Sequence, residues 1–254
     1  MSQESFLARI KRLRVFAGPN GSGKSTLVEN IRKNYDLGVL VNADDICEQL
    51  KTTGKLELSD FRLSTNQSAF LQFCQLPASK SFTSKIGKPA FVVENNCCIV
   101  AQDYSCDLSY AAAIIASFIR HQLWRAGLSF SYETVMSHPS KIDEIAVARK
   151  LGYRIYLYYV CLDSSEINVN RVRARVKMGG HDVEQCKIES RYTSSLENLL
   201  PVLQLSHRAY LFDNSSSMDM VASFDENHLT LHGEGQMPDW FSRYVLEKLV
   251  DDND

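Results

Sequence analysis

Short runs of apolar, β-favouring residues alternate along this chain with longer stretches whose apolar positions recur every three or four residues. That alternation predicts a mostly parallel sheet with crossover helices. The first strand is read at Leu13 to Ala17, followed by a helix over Thr26 to Lys33. Gly38 to Val41 is a second strand ending at Asn42-Ala43-Asp44-Asp45, and a short helix runs from Ile46 to Thr53, for which Asp44 or Asp45 suits the N-cap. From Gly54 to Lys88 the pattern is less regular: a helical segment around Phe61 to Gln75, then a polar loop with Pro77, Gly87 and Pro89. Phe91-Val92-Val93 reads as a strand within this insertion. A long helix is expected from an Asp107 cap to Arg125, with Gly127 as its stop.

The second half is more regular. Leu128 to Tyr132 is a strand that delivers Glu133 and Thr134 at its end, and Pro139 and Ser140 open a helix that stops at Gly152. Arg154 to Cys161 reads as a buried strand whose tyrosines belong to the core. Ser164 to Met178 is a helix that breaks at Gly179-Gly180-His181, and Asp182 caps the next helix. Ala209 to Phe212 is a strand ending at Asp213-Asn214-Ser215. Val221 to Leu231 forms a hairpin, and Met237 to Leu249 a terminal amphipathic helix. The pattern fits one α/β domain over residues 1–254. Its core lies at 13–53 and 108–215, an insertion at 54–107 follows the second strand, a helical lid covers 168–192, and a C-terminal hairpin and helix occupy 216–254.

Between the first strand and the first helix stands Gly-Pro-Asn-Gly-Ser-Gly-Lys-Ser, residues 18–25, a complete G-x-x-x-x-G-K-[ST] phosphate-binding loop. Gly18, Gly21 and Gly23 let the backbone bend so that N–H groups surround an anion. Pro19, Asn20, Ser22 and Thr26 complete the nucleotide-binding stretch. Lys24 places a positive charge on the β- and γ-phosphates, and Ser25 offers a hydroxyl to Mg²⁺. In open α/β sheets ligands sit at the carboxyl ends of the strands, which here also carry Asp44-Asp45, Glu133-Thr134 and Asp213-Asn214. Phosphoryl transfer needs an anion cradle, a hydroxyl and a carboxylate for Mg²⁺, and a group that receives the acceptor's proton. Asp44 suits that last role. Glu133 suits either the metal or the acceptor, while Thr134 and His138 (in a Ser-His-Pro turn) suit contact with the acceptor. Arg171 and Arg175 share one helix face at i and i+4. With Arg173, Arg191 and the Gly179-Gly180 break they form a movable basic lid that can neutralise charge on a transferring phosphoryl group.

Composition narrows the class. With 44% hydrophobic and 23% charged residues the 254-residue chain is an ordinary globular protein. Its formal net charge of −2 gives no global field for nucleic acid or an anionic membrane. The start lacks a signal peptide's layout, and the longest apolar run is too short to span a bilayer. Seven cysteines without framework spacing are read as reduced thiols in a cytoplasm, and no C-x₂-C pair supports a thiolate metal site.

Taken in order, Gly18 to Thr26, Asn42-Ala43-Asp44, Glu133-Thr134-Val135, Gly179 to Val183 and Phe212 to Ser215 resemble the zeta-toxin family of P-loop kinases, over roughly residues 13–215. The resemblance implies an ATP- and Mg²⁺-dependent kinase whose acceptor is a small-molecule hydroxyl, in the better-known toxins the sugar 3′-hydroxyl of UDP-N-acetylglucosamine. It implies Asp44 as catalytic aspartate, Lys24 and Ser25 as loop lysine and metal hydroxyl, and Arg171, Arg175 and Arg191 in the lid. It also implies Asn214 near the adenine, and it raises an antitoxin protein as a partner. Two other readings stay open: a kinase of a nucleoside or another sugar, and a nucleotide-gated binding protein that hydrolyses ATP slowly.

Overall fold

In the computed structural model, the described residues are 10–76, 79, 91–101, 108–180, 182–226, 228–233 and 237–251. Asp107, Cys106, His181 and most of the polar loop that contains Pro77, Gly87 and Pro89 lie outside them. The chain divides into two compact units, residues 24–134 and the remainder. The fold is α/β. The unit made of residues 1–23 and 135–254 holds five sheet strands, and residues 24–134 hold a parallel pair and a three-stranded sheet.

In that unit the strand order is β10-β9-β8-β7-β1, with β1 at Arg12–Ala17, β7 at Arg154–Cys161, β8 at Arg208–Asp213, β9 at Asp219–Asp225 and β10 at His228–Leu231. β1 and β7 run parallel in the register Arg12↔Arg154 to Ala17↔Tyr159, and β7 pairs parallel with β8. β9 and β10 are antiparallel, as their hairpin requires. Leu13, Val15, Ile155, Leu157, Tyr159 and Leu211 are fully buried, the near-continuous apolar reading expected of parallel strands. Not all the strand tyrosines are core: Tyr156 and Tyr158 alternate onto the other face and are half-buried. The helices here are α5 (Ser140–Lys150), α6 (Ser165–Lys177), α7 (Gln185–Glu197) and α8 (Leu199–Leu205). The terminal helix runs from Asp239 to Asp251 and contains a π-helical stretch at Ser242–Leu246. Trp240 ties this segment to the sheet, its ring 6.0 Å from that of Tyr159 and its Nε1 donating to Asp213 Oδ2 at 2.8 Å.

The other unit, residues 24–134, holds the parallel pair β2 (Val39–Val41) and β6 (Phe130–Thr134), joined in the register Val39↔Phe130 to Val41↔Tyr132. Helices α1 (Lys24–Arg32), α2 (Ala43–Thr53), α3 (Gln67–Gln75) and α4 (Leu108–Arg125) belong here. α2 buries Ile46, Cys47 and Leu50 on one face and ends at Gly54, whose φ of 70° lets its N–H reach Leu50 O at 2.9 Å. The small antiparallel sheet takes the order β3-β5-β4, from Lys55–Glu57, Cys97–Val100 and Phe91–Glu94. Asn95 and Asn96 turn its hairpin at φ 50° and 60°, the type I′ geometry that asparagine tolerates. The Phe70 ring centroid lies 4.5 Å from that of Phe91 and 5.4 Å from that of Phe118, packing the insertion against α4. Burial pushes the Cys98 thiol up to about 12, which keeps it protonated and inert. No helix among the described residues is long and apolar enough to cross a membrane.

Candidate active site

In the unit built on β1, the glycine-rich loop is held from outside through its carbonyl oxygens. Asn168 on α6, fully buried, donates its Nδ2 to Asn20 O, and Asn214 just beyond β8 donates to Ser22 O at 2.8 Å. Pro19 O accepts the N–H of Ser22 at 3.3 Å. Among the described residues no peptide bond is cis. A trans peptide sends its carbonyl and the following N–H in opposite directions, so the Gly21 and Gly23 amides point away from the two asparagines. That is the orientation an anion cradle requires. Glycine is needed at two positions in particular. Gly18 has φ 139° and a Cβ there would overlap Val160 O, while Gly23 has φ 103° and a Cβ would overlap the Asn214 amide.

Asn168 is a site residue that the sequence reading missed. Nothing in Ile167-Asn168-Val169 distinguishes it from any polar helix residue, and only its burial against the loop reveals its part. Asn168→Ala leaves Asn20 O without its partner inside a packed loop. The expected loss is about 1–3 kcal/mol in urea denaturation, with Asn168→Asp no better because the donor is also gone.

The predicted lid residues take distinct places in this unit. Arg171 Nη2 donates to Asn214 O at 2.6 Å and to Ser215 O at 3.3 Å, clamping the turn after β8 to α6. Arg175, one turn on, is half-buried, and the Gly180 N–H closes onto its carbonyl at 3.0 Å. Arg173 instead bonds Gln185 Oε1 at 2.7 Å. Arg191 lies half-buried on α7. The helix expected to be capped by Asp182 begins at Gln185 after Glu184, and Asp182 accepts from the adjacent Val183 N–H. His138 is exposed, and its Nδ1 lies 2.9 Å from Ser140 Oγ and 3.2 Å from Ser140 N, at the entrance to α5.

In residues 24–134 the remaining candidates converge. α1 opens on Lys24 and Ser25, and the helix dipole favours an anion at that end. Ser25 Oγ donates to Glu133 Oε2 at 2.9 Å, and Asn42 Nδ2 donates to Glu133 Oε1 at 2.9 Å. The N-cap of α2 is Asn42, whose Oδ1 accepts from Asp44 N at 2.9 Å. Neither Asp44 nor Asp45 is therefore used as a cap, and the Asp44 side chain stands exposed in the first turn. Thr134 closes β6 next to Glu133, half-buried. Thr26 follows Ser25 on α1 and is exposed.

Burial raises the Glu133 pKa above the ordinary carboxylate range, the Ser25 bond and the Lys24 charge oppose that rise, and the Asp45 and Asp44 charges add to it. Asp45 is raised too, first by partial desolvation and then by Asp44, with Arg32 opposing. Because the folded state binds the Glu133 proton more tightly than the unfolded chain, its desolvation cost is absent at low pH and present above the raised pKa. Glu133→Gln removes that cost. Its melting temperature is expected above that of the wild type at neutral pH, with the gap closing as pH falls through the raised pKa. Melts across pH check this, and a gap independent of pH would contradict it.

A serine hydroxyl bonded to a carboxylate supplies hard oxygen donors that fit Mg²⁺. Among the described residues no three His, Cys, Asp or Glu side chains converge on a metal position. A divalent ion at Ser25 and Glu133 would thus rely on water and phosphate oxygens for its other ligands, as Mg²⁺ does.

No protein-family profile matches the chain. An uncharacterized protein of Haemophilus influenzae (strain ATCC 51907 / DSM 11121 / KW20 / Rd) is 34% identical over 65 residues, 26% of this chain and 46% of that protein. Among solved structures, a chain of the AvrRxo1-ORF1:AvrRxo1-ORF2 complex with sulphate ions superposes with a TM-score of 0.52 at 14% identity. The superposition covers 89% of this chain and 62% of that one. The same complex with ATP gives 0.52 at 13% identity, over 88% and 61%. The chain thus shares its fold with that complex's subunit and spans less than two thirds of the subunit's length.

Proposed function

We propose that this chain is an ATP- and Mg²⁺-dependent phosphotransferase of the zeta-toxin type, moving the γ-phosphate onto a hydroxyl of a small molecule. The observation that carries the reading is the bonded set Ser25–Glu133–Asn42–Asp44 at the start of two helices, joined by the chain itself to a loop whose amides are turned outward. A fold shared with a protein solved with ATP supports it. The loop amides and Lys24 hold the β- and γ-phosphates, and Ser25 and Glu133 hold Mg²⁺. Mg²⁺ supplies charge neutralisation on the phosphate oxygens. Asp44, exposed and free of any capping duty, takes the acceptor's proton as the acceptor oxygen bonds to the γ-phosphorus and the bond to ADP breaks. Arg175 and Arg191 offer cations to the charge on the transferring group, and Arg171 holds the Asn214 turn beside which adenine is expected. Thr134 and His138 are assigned to the acceptor side, with a nucleotide sugar such as UDP-N-acetylglucosamine as the leading acceptor class. A cytoplasmic setting and an antitoxin-like protein partner belong to the same reading, the latter supported by a neighbour solved as a two-protein complex.

The test is incubation with Mg²⁺-ATP and a panel of nucleotide sugars, nucleosides and free sugars, followed by mass spectrometry. A product heavier by one phosphoryl group identifies the acceptor class. ATP consumed with no such product from any acceptor would favour the nucleotide-gated binding protein instead.

A further inference from the structure

The turn that follows β8 is fastened from several sides. Asn214 N donates to Cys161 O at 2.9 Å, Ser215 N donates to Asp213 Oδ1 at 2.9 Å, and Ser215 Oγ accepts the Asp163 N–H at 2.8 Å. Arg171 closes the turn from α6, its Nη2 donating to both Asn214 O and Ser215 O. From this fixed base the Asn214 amide reaches Ser22 O and fills the space that a side chain at position 23 would need. α6 is itself seated on the loop, since a Cβ at Gly21 would meet Asn168 O at 3.0 Å and Val172 Cγ2 at 3.2 Å. Arg171 thus stands on the part of α6 that packs against the loop, with its guanidinium on the carbonyls of the turn.

On this geometry, and resting on the phosphotransferase reading above, we infer that Arg171 and Asn214 are positioning residues that set the phosphate cradle from behind. Arg171 fixes the turn, the turn fixes the Asn214 amide, and that amide holds Ser22 O. Ser22 O and Gly23 N belong to one trans peptide, so holding the carbonyl aims the Gly23 N–H the opposite way, toward the phosphates. An N–H aimed before the ligand arrives costs no ordering when it binds. The pair therefore acts on affinity for the polyphosphate and not on recognition of the base. Arg171 works through the turn rather than on the transferring phosphoryl group itself.

Cradle and base can be separated with a ligand that has no base. Binding of ATP and of inorganic tripolyphosphate, each with Mg²⁺, is measured by calorimetry on the full chain, with a melting curve for every variant. Asn214→Leu removes the donor to Ser22 O without adding charge. Arg171→Lys keeps the positive charge but ends one bond short of the turn carbonyls and gives up the planar fork. Each is expected to weaken ATP and tripolyphosphate by the same factor, about fivefold or more, the affinity equivalent of one net hydrogen bond. The double variant is expected to lose little more than the larger single, because the two residues act in series. Weakened ATP with unmoved tripolyphosphate would overturn the inference and give Asn214 to the base. Affinities unmoved in folded variants, with or without a melting loss, would also overturn it. Arg171→Lys decides if Asn214→Leu does not fold, and an unmoved affinity there would mean that charge alone suffices, which overturns the relay. Equal losses for both ligands, in a protein whose wild type transfers no phosphate, would support the inference and overturn the phosphotransferase reading instead.

Discussion

Lys24→Ala is expected to lose phosphate transfer by about 10²–10³-fold or more in kcat, the scale for removing one preorganised charge from a developing anion. The position explains the size. Lys24 is the first residue of α1, directly after a loop whose carbonyls are turned toward Asn168 and Asn214, so no other loop side chain carries a positive charge. A second effect adds to the first. The Lys24 charge opposes the burial-driven rise of the Glu133 pKa, so its removal leaves Glu133 more readily protonated and a poorer partner for a cation. Single-turnover kinetics with a melting curve alongside separates lost chemistry from lost fold. A folded Lys24→Ala protein turning over at the wild-type rate would remove the phosphate loop from the account.

Asp44→Asn should leave nucleotide affinity and the fold intact while kcat falls by about 10²–10⁴-fold, the range for general-base catalysis. Stability is expected to hold because Asn42, not Asp44, caps α2, and because the Asp44 carboxylate is exposed. The neighbour gives the control. Asp45 is exposed too, and its pKa is raised by partial desolvation and by Asp44 itself. Asp45→Asn is expected to cost far less. Measured side by side at several pH values, a larger loss in Asp45→Asn than in Asp44→Asn would transfer the proton-accepting role to Asp45.

Much of the framework is written locally. The strand–glycine loop–helix unit at the start and the strand Arg154–Cys161 need only their own residues, because apolar runs and glycine positions determine them. What the sequence hid has identifiable causes. α8 contains Pro201, which reads as a helix breaker, yet it stands in the first turn where a missing N–H costs nothing. β3 and β5 pair across some forty residues, and neither three-residue Lys55–Glu57 nor four-residue Cys97–Val100 declares itself without its partner. The Asn95-Asn96 turn was a readable signal for the hairpin of β4 and β5. At the site, the residue types on α1, α2 and β6 were legible, whereas the roles of the asparagines were not. Asn42, Asn168 and Asn214 act through where their amides point, and that is decided by packing rather than by spacing.

Transfer of the γ-phosphate to an organic hydroxyl is followed through the phosphate itself. Mg²⁺-ATP labelled at the γ-position would be incubated with the wild type and with Asp44→Asn in the presence of the acceptor panel, and the label traced. Label is expected in a small organic product, formed one for one with ADP by the wild type and not by Asp44→Asn. Label released only as inorganic phosphate, or left on ATP with every acceptor, would contradict it.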